Sequence, residues 1–184
     1  MKFAILVNDI KRNRKEMDME KTIVVFETEK GTMKAELYPE VAPVTVENFV
    51  GLVKDGFYDG LTFHRIIDGF MIQGGDPLGN GMGGSDKKIK GEFLANGVKN
   101  DLRHTRGVLS MARSMNPDSA SSQFFIMHAD APHLDGQYAA FGKVTDGIEV
   151  VDAIVQSAKV EDGNGTVKPA NQPKILRVFL EGEN

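Results

Sequence analysis

Residues 63–76 read FHRIIDGFMIQGGD, two apolar runs that each hold a large polar side chain. Strand candidates cover Leu61–Ile67 and Phe70–Gly74. Arg65 falls inside the first, among Phe63, Ile66 and Ile67, with Phe70 and Met71 just beyond. A lone arginine in such a strand usually points outwards into water. Gln73, however, is set into MIQGG, and Gln123 into SSQFFIM. Buried polar groups need partners, so three of them beside aromatic residues predict one shared site. The residues by themselves define an apolar cleft with a guanidinium and two amides, and leave its chemistry open.

Outward from this segment the chain is rich in short strands. Residues 22–26 (TIVVF) and 32–37 form a predicted hairpin around Glu29-Lys30-Gly31, with Met33, Ala35 and Leu37 on one face. Pro39 and Pro43 end that pairing. Val46, Phe49, Val50 and Val53 then mark one face of a helix that Gly56 stops. Further strands are predicted over 108–111, 124–127, 140–144 and 175–180, and a second helix over 148–158. There is no repeat or linker, so residues 21–184 read as one domain preceded by an arm over residues 1–20. Many short strands with two scattered helices predict a mainly β protein, a closed barrel with helical plugs, not βαβ units.

Composition narrows the function classes. With 184 residues and 41% hydrophobic content, one good core is the expectation. A net charge of −4 argues against nucleic acid or an anionic membrane as the main partner. The chain contains no cysteine, which excludes disulfides, thiolate catalysis and cysteine-ligated zinc and suits a reducing compartment. The apolar run Phe3 to Val7 is too short for a signal peptide and its charges follow it, and no stretch approaches a spanning helix. A cytoplasmic monomer is expected.

Other motifs carry little. Gly79 to Gly84 matches G-x-G-x-x-G, but polar residues with no helical face follow, so it is no dinucleotide fingerprint. His64, His104, His128 and His133 lack zinc-protease spacing, and solvated or core histidines are the simpler reading. Asp162-Gly163-Asn164-Gly165 reads as a turn, and Asn164-Gly165-Thr166 as a glycosylation acceptor that matters only in a secreted protein.

The ordered landmarks go further. FHRIIDGFMIQGGD, then Asn80 to Gly84, LSMA at 109–112, SQFFI at 122–126, LDG at 134–136 and FGKV at 141–144 resemble the cyclophilin family. The likeness runs from about Thr22 to Leu180. It implies a closed eight-stranded antiparallel β-barrel capped by two α-helices, and cofactor-independent peptidyl-prolyl cis-trans isomerase activity on proline-containing peptides and folding proteins. By that resemblance Arg65 is catalytic, and Phe70, Met71, Phe125 and Leu134 line a proline pocket with Gln73 and Gln123 as polar neighbours. Ala112 and Arg113 border the substrate backbone, and Gly81 an adjoining groove. The chain departs from the common pattern at Arg113 (often asparagine), His133 (often tryptophan) and Tyr138 (often histidine). The change at His133 implies weak cyclosporin binding. A chaperone that holds proline segments with incidental turnover is the main alternative, and a histidine-based metal hydrolase a third.

Overall fold

A computed structural model describes residues 21–183; the expected arm over residues 1–20 lies outside the described residues. Strands β1 (Thr22–Thr28) and β2 (Gly31–Leu37) form the expected hairpin, turning at Gly31 with φ +130°. Met33, Ala35 and Leu37 are buried while their alternate neighbours are not, the period of two expected of a half-buried strand. Helix α1 (Pro43–Lys54) starts on Pro43, where a missing N–H leaves no bond unmade. It is capped from a distance: the buried carboxylate of Glu92 accepts the N–H groups of Val44 (3.0 Å) and Thr45 (2.8 Å). A negative group is favoured at that end of the helix dipole. Gly56, at φ +67°, lies just past the other end, as its stop role requires.

Strands β3 (Phe63–Ile67), β4 (Met71–Gly74), β5 (Val108–Met111), β6 (Phe124–Met127) and β7 (Ala140–Asp146) follow. Helix α2 (Glu149–Ser157) and strand β8 (Ile175–Leu180) complete the order. One antiparallel eight-stranded sheet runs β3-β4-β6-β5-β7-β2-β1-β8, so the mainly β reading holds, with two α-helices among the described residues.

The expected full closure of the barrel needs correction. The end strands β3 and β8 do not form a ladder; the sheet edges meet at the single bridge Thr62–Lys174 and bonds such as Phe63 N to Pro173 O, 3.0 Å. The edge of β3 is taken instead by residues 165–167: Ile66 N donates to Gly165 O (2.8 Å) and Val167 N to His64 O (3.1 Å). A strand edge already paired cannot also pair with β8.

The sheet separates two apolar clusters. One face, with α1 and α2, buries Phe26, Phe63, Ile72, Leu109, Phe124 and Ile126, and Phe49 of α1 packs there 5.1 Å from the Phe141 ring. Alternate residues supply a smaller cluster around Met71, Val108, Phe125 and Met127. Among the described residues no helix is long and apolar enough to cross a membrane.

Candidate functional site

Register places the site. Arg65 pairs across the sheet with Gln73, Gln73 with Phe125, and Phe125 with Ser110. Paired residues project to the same face, so four strands present these side chains in one row, away from the larger core. Arg65, Phe70, Met71, Gln73, Ala112, Arg113, Phe125, Leu134 and Tyr138 line one cavity of about 140 Å3. All nine were singled out from the sequence. Gly81 and Gln123 line a neighbouring cavity of about 310 Å3 that shares Gln73, Ala112 and Arg113. His133 lines neither; it is exposed at the rim, its ring 5.6 Å from that of Phe70.

A relay of hydrogen bonds fixes the polar side. Arg65 Nε donates to the backbone oxygen of Asn164 (2.8 Å) and Nη2 to Asn164 Oδ1 (3.1 Å). Arg65 Nη1 donates to Gln73 Oε1 (3.3 Å), and Gln73 Nε2 to Gln123 Oε1 (2.9 Å). Gln123 Nε2 in turn donates to Gly81 O (3.0 Å) and Gly83 O (2.7 Å). Three of the five guanidinium N–H groups are engaged, which leaves two for a ligand in the cavity. Asn164 held no site role in the sequence reading, where it belonged to a turn. The turn exists, built on Asp162 Oδ1, and it aims Asn164 at Arg65.

The apolar side rests on Phe125. Tyr138 meets its ring edge-on at 5.8 Å, and His104 stacks behind it at 6.1 Å and 20°. The His104 side chain is fully buried. Its Nδ1 lies 3.0 Å from Asp135 Oδ1 and its Nε2 2.9 Å from Ser110 Oγ. Burial pushes the His104 pKa below the ordinary 6.5, against the pull of Asp135. The ring is therefore neutral, with its proton on Nδ1, since a carboxylate can only accept, and the Ser110 hydroxyl donates to Nε2. Ser110, His104 and Asp135 thus have the order of a nucleophile relay. Ser110 is nevertheless wholly buried behind Phe125, out of a substrate's reach, so the relay braces the aromatic wall. LSMA and LDG contained Ser110 and Asp135 without revealing the pairing, because His104 joins them only in three dimensions.

Arg113 folds back over Tyr138 (4.6 Å to the ring centre) and Phe93 (4.8 Å), and donates to Gln137 O at 2.7 Å. Its guanidinium forms a wall between the two cavities. The glycine loop that failed as a dinucleotide motif is held from beneath by Asp76, which accepts the N–H groups of Leu78 (2.8 Å), Asn80 (3.1 Å) and Gly81 (2.6 Å). Burial alone would raise the Asp76 pKa, but these bonds outweigh it and hold the carboxyl below 3.8. Among the described residues no three histidine, aspartate or glutamate side chains are grouped to hold a metal ion.

The family model described as cyclophilin type peptidyl-prolyl cis-trans isomerase/CLD matches residues 23–179. The chain is 43% identical over 165 residues to a peptidyl-prolyl cis-trans isomerase-like 1 of Aspergillus oryzae, covering 88% of this chain and 98% of that one. It is 45% identical over 150 residues to a peptidyl-prolyl cis-trans isomerase of Helicobacter pylori, covering 80% and 89%. The crystal structure of a cyclophilin type isomerase of Cryptosporidium parvum, obtained in the presence of the dipeptide Ala-Pro, superposes with a TM-score of 0.77 at 32% identity. That match covers 88% of this chain and 99% of the other.

Proposed function

The chain belongs to the cyclophilin type peptidyl-prolyl cis-trans isomerases, and we propose that Arg65 is its catalytic residue, acting on a proline seated against Phe70, Met71, Phe125 and Leu134. Resonance keeps the X-Pro bond planar, with a rotation barrier of roughly 18–20 kcal/mol and uncatalysed exchange over tens to hundreds of seconds. Twisting the bond pyramidalises the prolyl nitrogen and frees its lone pair. A donor aimed there binds the twisted state better than either planar isomer, which is the requirement for catalysis. Arg65 supplies that donor without transferring a proton.

One charge-assisted hydrogen bond contributes about 1.5–3 kcal/mol, or about one to two decades in rate. The apolar wall adds to this, because a planar amide is more dipolar than a twisted one and loses more on leaving water. The supporting observation is the guanidinium itself: it borders an aromatic cavity, is tethered by Asn164 and Gln73, and retains two N–H groups. NMR exchange on an Ala-Pro peptide tests the reading. The parent should accelerate exchange over buffer, and Arg65→Ala should lose about 10- to 100-fold in kcat/KM while staying folded. Full activity in Arg65→Ala would refute this mechanism; no acceleration by the parent would leave only a proline-binding module.

Clients, on this reading, are proline-containing segments of peptides and folding proteins. His133 stands at the cavity rim, where it offers cyclosporin a smaller and more polar face than the indole usual in the family. Weak cyclosporin binding is expected, tightened by His133→Trp; titration calorimetry giving nanomolar affinity for the parent would overturn it.

A further inference from the structure

The turn between β3 and β4, Asp68-Gly69, delivers Phe70 to the proline cavity, and the residues just past β6 hold that turn. Phe70 O accepts the N–H groups of His128 (2.9 Å) and Ala129 (3.4 Å). One further tie depends on a titratable side chain: Gly69 N donates to His128 Nδ1 at 2.9 Å. Asp68 and Gly69 are exposed, so packing does little to fix them. On its other side the His128 ring places Nε2 3.0 Å from Asp152 Oδ1 of α2. Arg106 grips the same carboxylate with two bonds, of 2.8 and 2.7 Å. A donor at Nδ1 and a carboxylate at Nε2 are compatible with one neutral tautomer, the proton being on Nε2.

We propose that His128 is a positioning residue for the isomerase reaction, a clasp that seats Phe70 while its ring is neutral and loosens when Nδ1 takes up a proton. The inference rests on the isomerase reading, since Phe70 is part of the wall that receives the client proline. A charged imidazole carries a proton on both nitrogens and accepts nothing, so the Gly69 N–H then faces a second donor. Another partner for Nδ1 is close: Asp68 Oδ1 stands 3.5 Å away. Protonation therefore exchanges a tie to the backbone of the turn for one to a side chain that is 86% exposed. Asp68 from the turn and Asp152 from α2 favour the charged ring. Arg106, which also donates to His128 O at 2.8 Å, opposes it, while Asp130 is engaged by Arg106 N. Histidine changes charge between pH 5 and 8, whereas arginine stays charged throughout. Burial makes His64 and His104 charge at lower pH. His133, its ring 5.6 Å from that of Phe70, is the other titratable neighbour of this wall.

The test measures kcat/KM on an Ala-Pro peptide from about pH 7.5 down to about pH 5.5 in the parent, His128→Asn and His128→Leu. Asparagine places Oδ1 where the imidazole has Nδ1 and accepts at every pH, whereas leucine accepts at none. Both lack the bond to Asp152, so the difference between them isolates the Gly69 tie. The parent rate should fall about 3- to 10-fold across the range, and His128→Leu should stay at the low value throughout. His128→Asn should recover most of that loss and give a flat profile. The Gly69 amide resonance reads the clasp without catalysis: it should move with pH in the parent and stay in place in His128→Asn. Should His128→Leu not fold, the parent and His128→Asn decide by the same profile and resonance. The proposal falls if His128→Asn keeps the acid fall, or if His133→Gln abolishes it instead. A parent that accelerates exchange equally at both ends of the range removes the clasp and leaves the isomerase reading standing. A parent that accelerates exchange at neither end removes both.

Discussion

Two histidines are buried on opposite terms, one behind each wall of the site. His104 backs the aromatic wall and has both ring nitrogens matched, by Asp135 and Ser110. His64 lies beside Arg65 on the polar side and has neither matched among the described residues. Burial lowers the pKa of both. The difference is energetic: a matched buried group offsets its loss of water and holds a neighbour still, while an unmatched one carries that cost. Phe125 needs a fixed backing, because a proline ring is recognised by shape. His64 has no such role, since both its ring nitrogens are shut away from solvent as well as unmatched among the described residues.

The same substitution at the two positions should therefore act with opposite sign. His104→Phe leaves the wholly buried Ser110 hydroxyl without its acceptor and Asp135 with only the backbone N–H of residue 104, and should cost about 3 kcal/mol, read as a lower urea midpoint. His64→Phe removes two unmatched buried polar atoms at similar shape, and should be neutral or stabilising by about 1 kcal/mol. Equal losses in both would erase the distinction. A smaller effect is expected from Asn164→Ala. It removes the Oδ1 bond to Nη2 and leaves the backbone bond to Nε, so kcat should fall about 3- to 10-fold with little change in thermal midpoint. An unchanged kcat would mean that Gln73 and the Asn164 backbone oxygen suffice to position Arg65.

The pH dependence sharpens the contrast further. A histidine whose folded pKa lies below its unfolded 6.5 binds more protons when unfolded, so its contribution is complete above pH 6.5 and declines as pH falls below it. The thermal midpoint should fall between pH 7 and pH 5, and fall less in His64→Phe, where His104 alone remains to be charged. Carboxylates such as Asp76, held below 3.8, act in a separate and lower window. If His64→Phe kept the full slope, the charging of His64 would not be what lowers the midpoint.

Much of the site was legible because polar residues in apolar runs and the order of motifs are local signals. Arg65, Gln73 and Gln123 stood out as polar groups set in apolar strand candidates, the ordered motifs supplied Phe125, and the turn signal at Gly31 sets the first hairpin. What periodicity cannot give is the partner of a polar group. Asn164 reaches Arg65 from 99 residues away, and Asp135 reaches His104 from 31. Both signals looked like ordinary turn chemistry, which they also are. The closed barrel was over-read for the same reason: nothing in β3 or β8 announces that residues 165–167 will take the β3 edge first.

The amino-acid sequence by itself determined the strand and helix inventory, the apolar cavity residues and the family, since each depends on residue type and order along the chain. Tertiary structure decided which polar groups are tied and which stay unmatched. It pinned Arg65 with Asn164, locked His104 behind Phe125 and left the His64 ring nitrogens buried and unmatched among the described residues. Hydrogen bonds are short-ranged and directional, so their pairing follows from packed geometry and not from spacing in sequence.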